Sequence, residues 1–116
     1  MKEFMMIFFG ADPDQLKLSP EQAQAQMQKW FDWVNDLKEK NIYIEGRPLL
    51  PVAKTLKGKK PVITDGPFTE VKELVGGYFI VRAKSLEEAA ELAKACPDFD
   101  LGGTVEVREV MAMDNM

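Results

Sequence analysis

The run from Phe4 to Phe9 is an unbroken stretch of apolar residues, and it limits the folds open to this chain. Its length is typical of a β-strand, and an apolar run without alternation indicates a strand that is buried on both faces. Gly10 and the segment 11–14, which contains Pro13, then end the strand. The sequence therefore predicts a sheet that must be covered on both sides.

Two helices have well-marked starts. Ser19 offers an N-cap, Pro20 occupies the first helical position and Gln22 completes a capping box, so a helix begins there. This helix should end near Asn41, and its predicted inward stripe consists of Ala23, Met27, Trp30, Val34 and Leu37. Ser85 begins a second helix that stops before Pro97; its predicted inward residues are Leu86, Ala89, Ala90 and Ala93.

The remaining apolar segments read as short strands. We expect them at Ile42–Glu45, Val52–Leu56, Pro61–Thr64, Tyr78–Ala83 and Thr104–Val110, the second and third forming a hairpin with a basic tip at 58–60. In the last strand, Val105 and Val107 face one way and Glu106 and Arg108 the other. The order predicts one α+β domain over residues 1–116, with a ferredoxin-like β-α-β-β-α-β plan and an extra hairpin.

The second face of the predicted sheet lacks a partner. Two helices cover one side, yet Met5, Ile7 and Phe9 point away from Phe4, Met6 and Phe8. An exposed apolar patch of several hundred Å2 is rare in soluble monomers. We therefore expect a second copy to cover it in a two-fold homodimer, forming a dimeric α+β barrel. The alternative is that long loops and the hairpin fold back over the sheet.

Composition excludes several classes of partner. A net charge of −4 and a pI near 4.9 give no footprint for nucleic acid or an anionic membrane. The single cysteine, Cys96, cannot form an internal disulfide, and no stretch is long enough to span a bilayer. We expect a cytoplasmic protein with no cofactor. We expect no metal site either, because the sequence has neither a Cys/His cluster nor a calcium-loop motif.

The segment 65–73 holds the candidate ligand-binding residues, which are Asp65, Gly66, Pro67, Phe68, Glu70, Lys72 and Glu73. Asp-Gly-Pro marks a turn. A carboxylate becomes a general base at neutral pH when burial or a second acid raises its pKa, and Lys72 could neutralise an anionic substrate. The alternative is that Asp65 caps its own turn while the other charges form surface pairs.

Other residues have simpler interpretations. Cys96 has no histidine to activate it, so we expect it to pack in the interior. The pair Gly76–Gly77 indicates a bulge or a close backbone approach. We assign Trp30 to the core and Trp33 to the edge of a cleft or the dimer contact. The arginines Arg47 and Arg108 either bind an anion or form surface pairs.

The candidate segment also resembles a known family. Asp65-Gly66-Pro67-Phe68, followed by Glu70, Lys72-Glu73 and Gly76-Gly77-Tyr78, is similar to the signature of the DGPF subgroup of YCII-related proteins. The helix at 85–90, the turn at Gly46 and Pro48 and the ending Val105–Arg108 match as well. The resemblance implies dimeric ferredoxin-like subunits with a cleft near the dimer interface. It implies no settled reaction. Some members are similar to proteins encoded beside extracytoplasmic sigma factors, which implies a regulatory role for them.

One YCII branch, which resembles a dehydrochlorinase of chlorinated hydroxyquinols, uses a histidine and an aspartate. This chain has no histidine, and Cys96 stands where that branch places its aspartate. We therefore do not expect that chemistry, since an imidazole acid or base is absent. Two function classes remain: a small-molecule enzyme or binding protein, and a non-catalytic structural or regulatory dimer associated with a sigma factor.

Overall fold

The chain folds into alternating strands and helices in the predicted order. The computed structural model describes residues 1–11, 16–66 and 74–113. Along the chain these form β1 (Lys2–Gly10), α1 (Pro20–Glu39), β2 (Tyr43–Pro48), β3 (Lys54–Lys57), β4 (Val62–Asp65), β5 (Leu74–Ala83), α2 (Leu86–Ala93), a 3-10 helix (Pro97–Leu101) and β6 (Thr104–Glu109).

Four of the strands form one antiparallel sheet in the order β2-β5-β1-β6. The long apolar strand β1 is central, pairing with β5 on one side and β6 on the other, which explains why its run is apolar without alternation. This strand order, with both helices between strands, is the ferredoxin-like arrangement that the sequence predicts. Within the described ranges, strands β3 and β4 pair only with each other, which confirms the extra hairpin.

Both helix starts are confirmed. The Ser19 hydroxyl accepts a hydrogen bond from the Gln22 amide at 3.1 Å, and the Gln22 side chain accepts from the Ser19 amide at 2.9 Å. The Ser85 hydroxyl accepts from the Glu88 amide at 3.1 Å. These bonds satisfy amide groups that have no partner inside the first turn, so each helix begins where the sequence predicts.

The core lies between the helices and one face of the sheet. Phe4 and Met6 of β1 are fully buried there, together with Val81 of β5. From the helices, Leu37 and Ala89 pack against them and are also almost completely buried. The small side chains of α2 allow its backbone to approach the sheet closely.

The predicted inward stripes of the two helices are only partly correct. Met27 is 59% exposed and Leu86 is 45% exposed, and Ala23 and Ala90 are exposed as well. The first half of α1 lies against the 3-10 helix rather than the sheet. In this half the residue that faces the rest of the protein is the half-buried Gln26. Apolar spacing on the helix could not reveal which half of it would overlie the sheet.

The pair Gly76–Gly77 forms the predicted bulge. Phe8 pairs with Gly77 and Phe9 pairs with Val75, so Gly76 is the extra residue on β5. A Cβ atom on Gly77 would lie 2.6 Å from the carbonyl oxygen of Arg47, which is closer than such atoms can approach. Glycine at this position therefore lets β2 pair with the start of β5.

The other face of the sheet, here called the open face, is apolar along its middle. Met5 pairs in register with Ile80, and Ile7 pairs with Tyr78, with all four side chains on this face. Ile80 is 6% exposed, while the other three are half-buried. The described helices all lie on the opposite side of the sheet. The four apolar or aromatic side chains of the open face therefore confirm the prediction that both faces are apolar.

The β3–β4 hairpin keeps its apolar side chains in solvent. Leu56, Val62 and Ile63 are 58%, 67% and 60% exposed. A hairpin that covered the open face would bury such residues against it. These exposures therefore argue against the alternative in which the hairpin folds back over the sheet.

Among the described residues, no helix is both long and apolar enough to cross a membrane.

Candidate functional site

The predicted turn at Asp65 and Gly66 closes the base of the hairpin. Gly66 has a φ of +89°, a backbone conformation that side chains other than glycine disfavour. Its amide donates to the carbonyl oxygen of Ala53 at 2.6 Å, and its own carbonyl oxygen accepts from the Thr55 hydroxyl at 2.9 Å. Glycine at position 66 thus holds the two ends of the hairpin together.

Asp65 points into solvent at this turn. Its carboxylate forms an ion pair with the Lys54 ammonium at 2.5 Å, and the two side chains are 89% and 67% exposed. An ion pair this exposed contributes at most about 1 kcal/mol to stability. Asp65 is therefore an exposed, ion-paired carboxylate rather than a buried general base, and the ion pair with Lys54 differs from the turn cap that we gave as its alternative.

A concavity lies beside this ion pair. It is a shallow depression of about 680 Å3 that is widely open to solvent and is lined by Pro51, Val52, Ala53, Lys54, Asp65 and Gly66. The lining is mostly apolar with one cation and one carboxylate. This combination suits a small ligand that has an apolar body and a charged group.

The other candidate residues of the segment lie outside the described residues. They are Pro67, Phe68, Glu70, Lys72 and Glu73. The chain leaves the concavity at Gly66 and enters β5 at Leu74. A ligand-contacting role for these five residues stays a prediction.

An aromatic cluster fills the space between α1 and the sheet. The ring of Phe8 stands edge-on to Trp30 and Phe79, with ring centroids 4.9 Å apart in each case. Trp33 is 6% exposed, and its ring lies 5.2 Å from that of Phe79. The predicted role of Trp33 is therefore wrong, because Trp33 is buried in the core. Trp30 is half-buried at the margin of the core and packs against it, as predicted.

Trp30 is held at that margin by a polar network that the sequence analysis missed. Its indole N–H donates to Oδ1 of Asp98 at 3.0 Å, and the same oxygen accepts from the Gln26 amide group at 3.0 Å. Gln26 also donates to the carbonyl oxygen of Pro97 at 2.9 Å. The partners are about seventy residues apart, and no local motif indicates such a pairing.

Tyr43 borders the aromatic cluster on β2. Its ring centroid lies 5.3 Å from that of Phe79, and the Lys38 ammonium lies 5.5 Å from the centre of the tyrosine ring. Partial burial raises the pKa of the Tyr43 phenol, although the nearby Arg47 charge opposes this shift. The phenol therefore stays protonated at neutral pH, where it can donate a hydrogen bond but cannot act as a base.

Cys96 is confirmed as a packing residue. It is 5% exposed and belongs to the core beneath α2. Burial raises the pKa of its thiol to about 11, and hydrogen bonds from the amides of Asp98 and Phe99 only partly offset this effect. The thiol is consequently neutral at physiological pH, unlike a reactive cysteine.

The two arginines form local contacts. One Arg47 Nη atom donates to the carbonyl oxygen of Gly46 at 2.7 Å, and Arg108 lies 3.9 Å from the Glu106 carboxylate. These contacts agree with the surface-pair interpretation.

In the described segments, no three acidic or cysteine side chains are grouped closely enough to hold a metal ion.

These features define a class of small α+β protein: a ferredoxin-like antiparallel sheet with helices on one face, an apolar open face and a hairpin inserted before the third core strand. The family follows from comparison with known proteins. The chain belongs to the YCII-related domain family, whose family model matches residues 4–114. No curated protein sequence matches the chain.

One solved structure with a similar course of the chain is the 5-chloro-2-hydroxyhydroquinone dehydrochlorinase from Burkholderia phenoliruptrix AC1100, in complex with 2,5-dihydroxybenzoquinone. The two chains are 19% identical, the match covers 93% of each chain, and the TM-score is 0.47. A likeness at this level does not show shared chemistry.

Proposed function

We propose that this protein is a homodimer of the DGPF subgroup of YCII-related proteins, and that it binds a small anionic molecule near the turn at Asp65. The observation that supports binding is the concavity beside this turn, which has apolar walls and the Lys54 ammonium at its edge. Lys72 provides a second cation in the adjoining segment. A lysine beside apolar walls favours a ligand with a carboxylate or phosphate group.

The open face supports the dimer. Met5, Ile7 and Tyr78 remain half-buried when the chain is alone, and helices lie only on the far side of the sheet among the described residues. A second copy that packs its own open face here removes this apolar surface from water, with a gain of about 25 cal/mol per Å2. Sheets packed face to face in this way are about 10 Å apart.

Sedimentation velocity at micromolar concentration tests the dimer. We expect the wild-type protein to sediment as a dimer and Ile7→Glu to sediment as a monomer, because the variant places a charge in the centre of the contact. Met27→Glu is the matched control, since Met27 is 59% exposed on α1 on the helix side. A wild-type protein that stays monomeric would reject the dimer.

Thermal shift measurements test ligand binding at the proposed site. A panel of organic acids and phosphate esters is compared with neutral sugars and alcohols, on the wild type and on Lys72→Ala, Asp65→Ala and Glu73→Ala. We expect anionic compounds to raise the melting temperature of the wild type, with a smaller rise in the Lys72 variant. Asp100→Ala, which removes an exposed carboxylate 3.7 Å from Lys29, is the control. Shifts that survive all three substitutions would place the site elsewhere.

A non-catalytic structural or regulatory dimer is the second candidate function. The outward direction of Asp65 favours it, because a catalytic carboxylate normally points into a pocket. Under this alternative, the dimer forms but no compound in the panel changes the melting temperature. The two candidates therefore differ in the thermal shift experiment and agree in the sedimentation experiment.

A further inference from the structure

The charged residues of the open face occupy definite positions around its apolar centre. Across the four strands, one row of register partners is Glu45–Ile80–Met5–Arg108 and the next row is Arg47–Tyr78–Ile7–Glu106. The edge strands β2 and β6 thus hold all four charges of these rows. In each row an acid stands at one edge and an arginine at the other, and the order reverses between rows.

A third row extends the pattern. Arg82 of β5 pairs in register with Glu3 of β1, next to the row that contains Ile80 and Met5. Both residues are exposed. In all three rows, therefore, each charge has a charge of opposite sign at the mirror-image position about the middle of the sheet.

This arrangement has a consequence for a two-fold dimer. An axis that lies between two facing sheets and runs parallel to the strands places β2 of one copy opposite β6 of the other, at the same row. Glu45 then faces an arginine at position 108, and Arg47 faces a glutamate at position 106. The same axis places β5 opposite β1, so that Arg82 faces a glutamate at position 3.

Other arrangements lose part of this complementarity. An axis perpendicular to the strands, between the two full rows, keeps opposite charges together at both edges, because each row then faces the other row. It nevertheless sets Arg82 and Glu3 against the row that holds Val75 and Phe9. A shift of one strand sets Glu45 and Arg47 against Met5 and Ile7. Each alternative buries unpaired charges against apolar side chains, which costs several kcal/mol per charge in proteins.

We infer that the charges around the apolar centre select a second copy of this chain as the partner and fix its register, with the two-fold axis parallel to the strands. They are the edge charges Glu45, Arg47, Glu106 and Arg108, together with Arg82 and Glu3. The inference rests on the dimer proposed above. The apolar centre contributes the attraction, and these six charges together determine which of the possible face-to-face arrangements forms.

Charge reversal tests this register. Glu106→Arg places two arginines face to face at two symmetry-related points, and Arg47→Glu places two glutamates there. We expect each variant alone to dissociate at least about tenfold more readily than the wild type in sedimentation equilibrium at low salt. High salt should narrow this difference, because it screens exposed charges.

Mixing the two variants gives the decisive result. In a heterodimer of Glu106→Arg with Arg47→Glu, the new arginine faces the new glutamate and the wild-type pair remains at the other point. We therefore expect the mixture to associate with near wild-type affinity, although neither variant does so alone. A loss of stability within either variant chain cannot explain this recovery, because each chain carries the same substitution in the mixture as it does alone.

Glu109→Arg is the matched control. It makes the same charge change on the same edge strand, but residue 109 pairs with Phe4 and lies on the helix side, where its carboxylate is 3.6 Å from Lys2. We expect this variant to dimerise like the wild type. If the wild type is a dimer and both reversals leave it unchanged, or if the mixture does not recover, the charge register is wrong while the dimer stands. If the wild type is a monomer, the proposed dimer itself fails.

Discussion

The indole N–H of Trp30 donates a hydrogen bond to the Asp98 carboxylate at 3.0 Å, and this bond joins the middle of α1 to the 3-10 helix that follows α2. Gln26 donates to the same carboxylate oxygen from one turn earlier in α1. One carboxylate thus holds two side chains at the margin of the aromatic cluster. Together with the bond from Gln26 to the Pro97 carbonyl oxygen, the network connects α1 to the 3-10 helix.

Removal of this acceptor should destabilise the protein. Asp98→Ala leaves the Trp30 and Gln26 donors without their partner in a half-buried position, so we expect the free energy of unfolding to fall by about 1–3 kcal/mol. Asp98→Asn keeps an oxygen acceptor and should lose clearly less. Urea denaturation of both variants measures the difference, and tryptophan fluorescence follows the same transition.

Asp100→Ala provides the comparison for this network. Asp100 lies two residues further along and its ion pair with Lys29 is exposed, so its removal should cost less than about 0.5 kcal/mol. Equal losses for the variants at positions 98 and 100 would show that the hydrogen bonds to Trp30 and Gln26 contribute nothing beyond a surface charge.

Phe8 should be among the most costly residues to truncate. Its ring is 7% exposed and stands edge-on to Trp30, Trp33 and Phe79. Phe8→Ala removes these contacts and leaves a cavity, so we expect a loss of about 3–5 kcal/mol in the free energy of unfolding. Phe31→Ala is the matched control because Phe31 is 57% exposed, and it should change stability far less. Similar losses in the two variants would contradict this description of the core.

Gly77 should tolerate no side chain. An alanine Cβ would lie 2.6 Å from the carbonyl oxygen of Arg47, so the edge strand β2 must move away from β5. We expect Gly77→Ala to cost about 1–3 kcal/mol, as overpacking does, and to speed hydrogen exchange at the β2 amides. Gly10→Ala is the control, since nothing lies within 4 Å of its added Cβ. Unchanged exchange in the Gly77 variant would contradict the close approach of the two strands.

The sequence predicted the fold well because the signals for it are local. The capping box at Ser19, the apolar run of β1 and the alternation of Val105 and Val107 each depend on neighbouring residues. The hairpin was also predicted from its two short strands and basic tip. Such local patterns fix the order of elements, and few topologies remain compatible with that order.

The contacts between distant elements were not predictable in the same way. The pairing of Trp30 with Asp98 depends on how far α1 extends past the sheet, and the inward stripe of α1 shifts from Met27 to Gln26 for the same reason. The candidate site was only partly predictable as well. Its turn at Gly66 has the positive φ that the motif implies, whereas the ion pair of Asp65 with Lys54 depends on the register of the hairpin.

The buried thiol of Cys96 should make stability depend on alkaline pH. In the unfolded chain a cysteine ionises near pH 9, whereas burial in the folded protein raises the pKa of this thiol to about 11. Between these values the unfolded state has released a proton that the folded state retains. The free energy of unfolding should therefore fall as the pH rises from about 9 to about 11, and this contribution is complete only below pH 9.

Cys96→Ala separates this effect from the titration of other groups such as Tyr43, whose pKa is also raised. We expect the variant to be less stable than the wild type at pH 8, because it loses a buried side chain, but to show a shallower fall in stability between pH 9 and pH 11. Urea denaturation at several pH values measures both slopes.

A thiol reagent should, by the same reasoning, label the folded wild type far more slowly at pH 8 than the protein in urea. Parallel slopes together with rapid labelling of the folded protein would show that Cys96 is accessible rather than buried beneath α2.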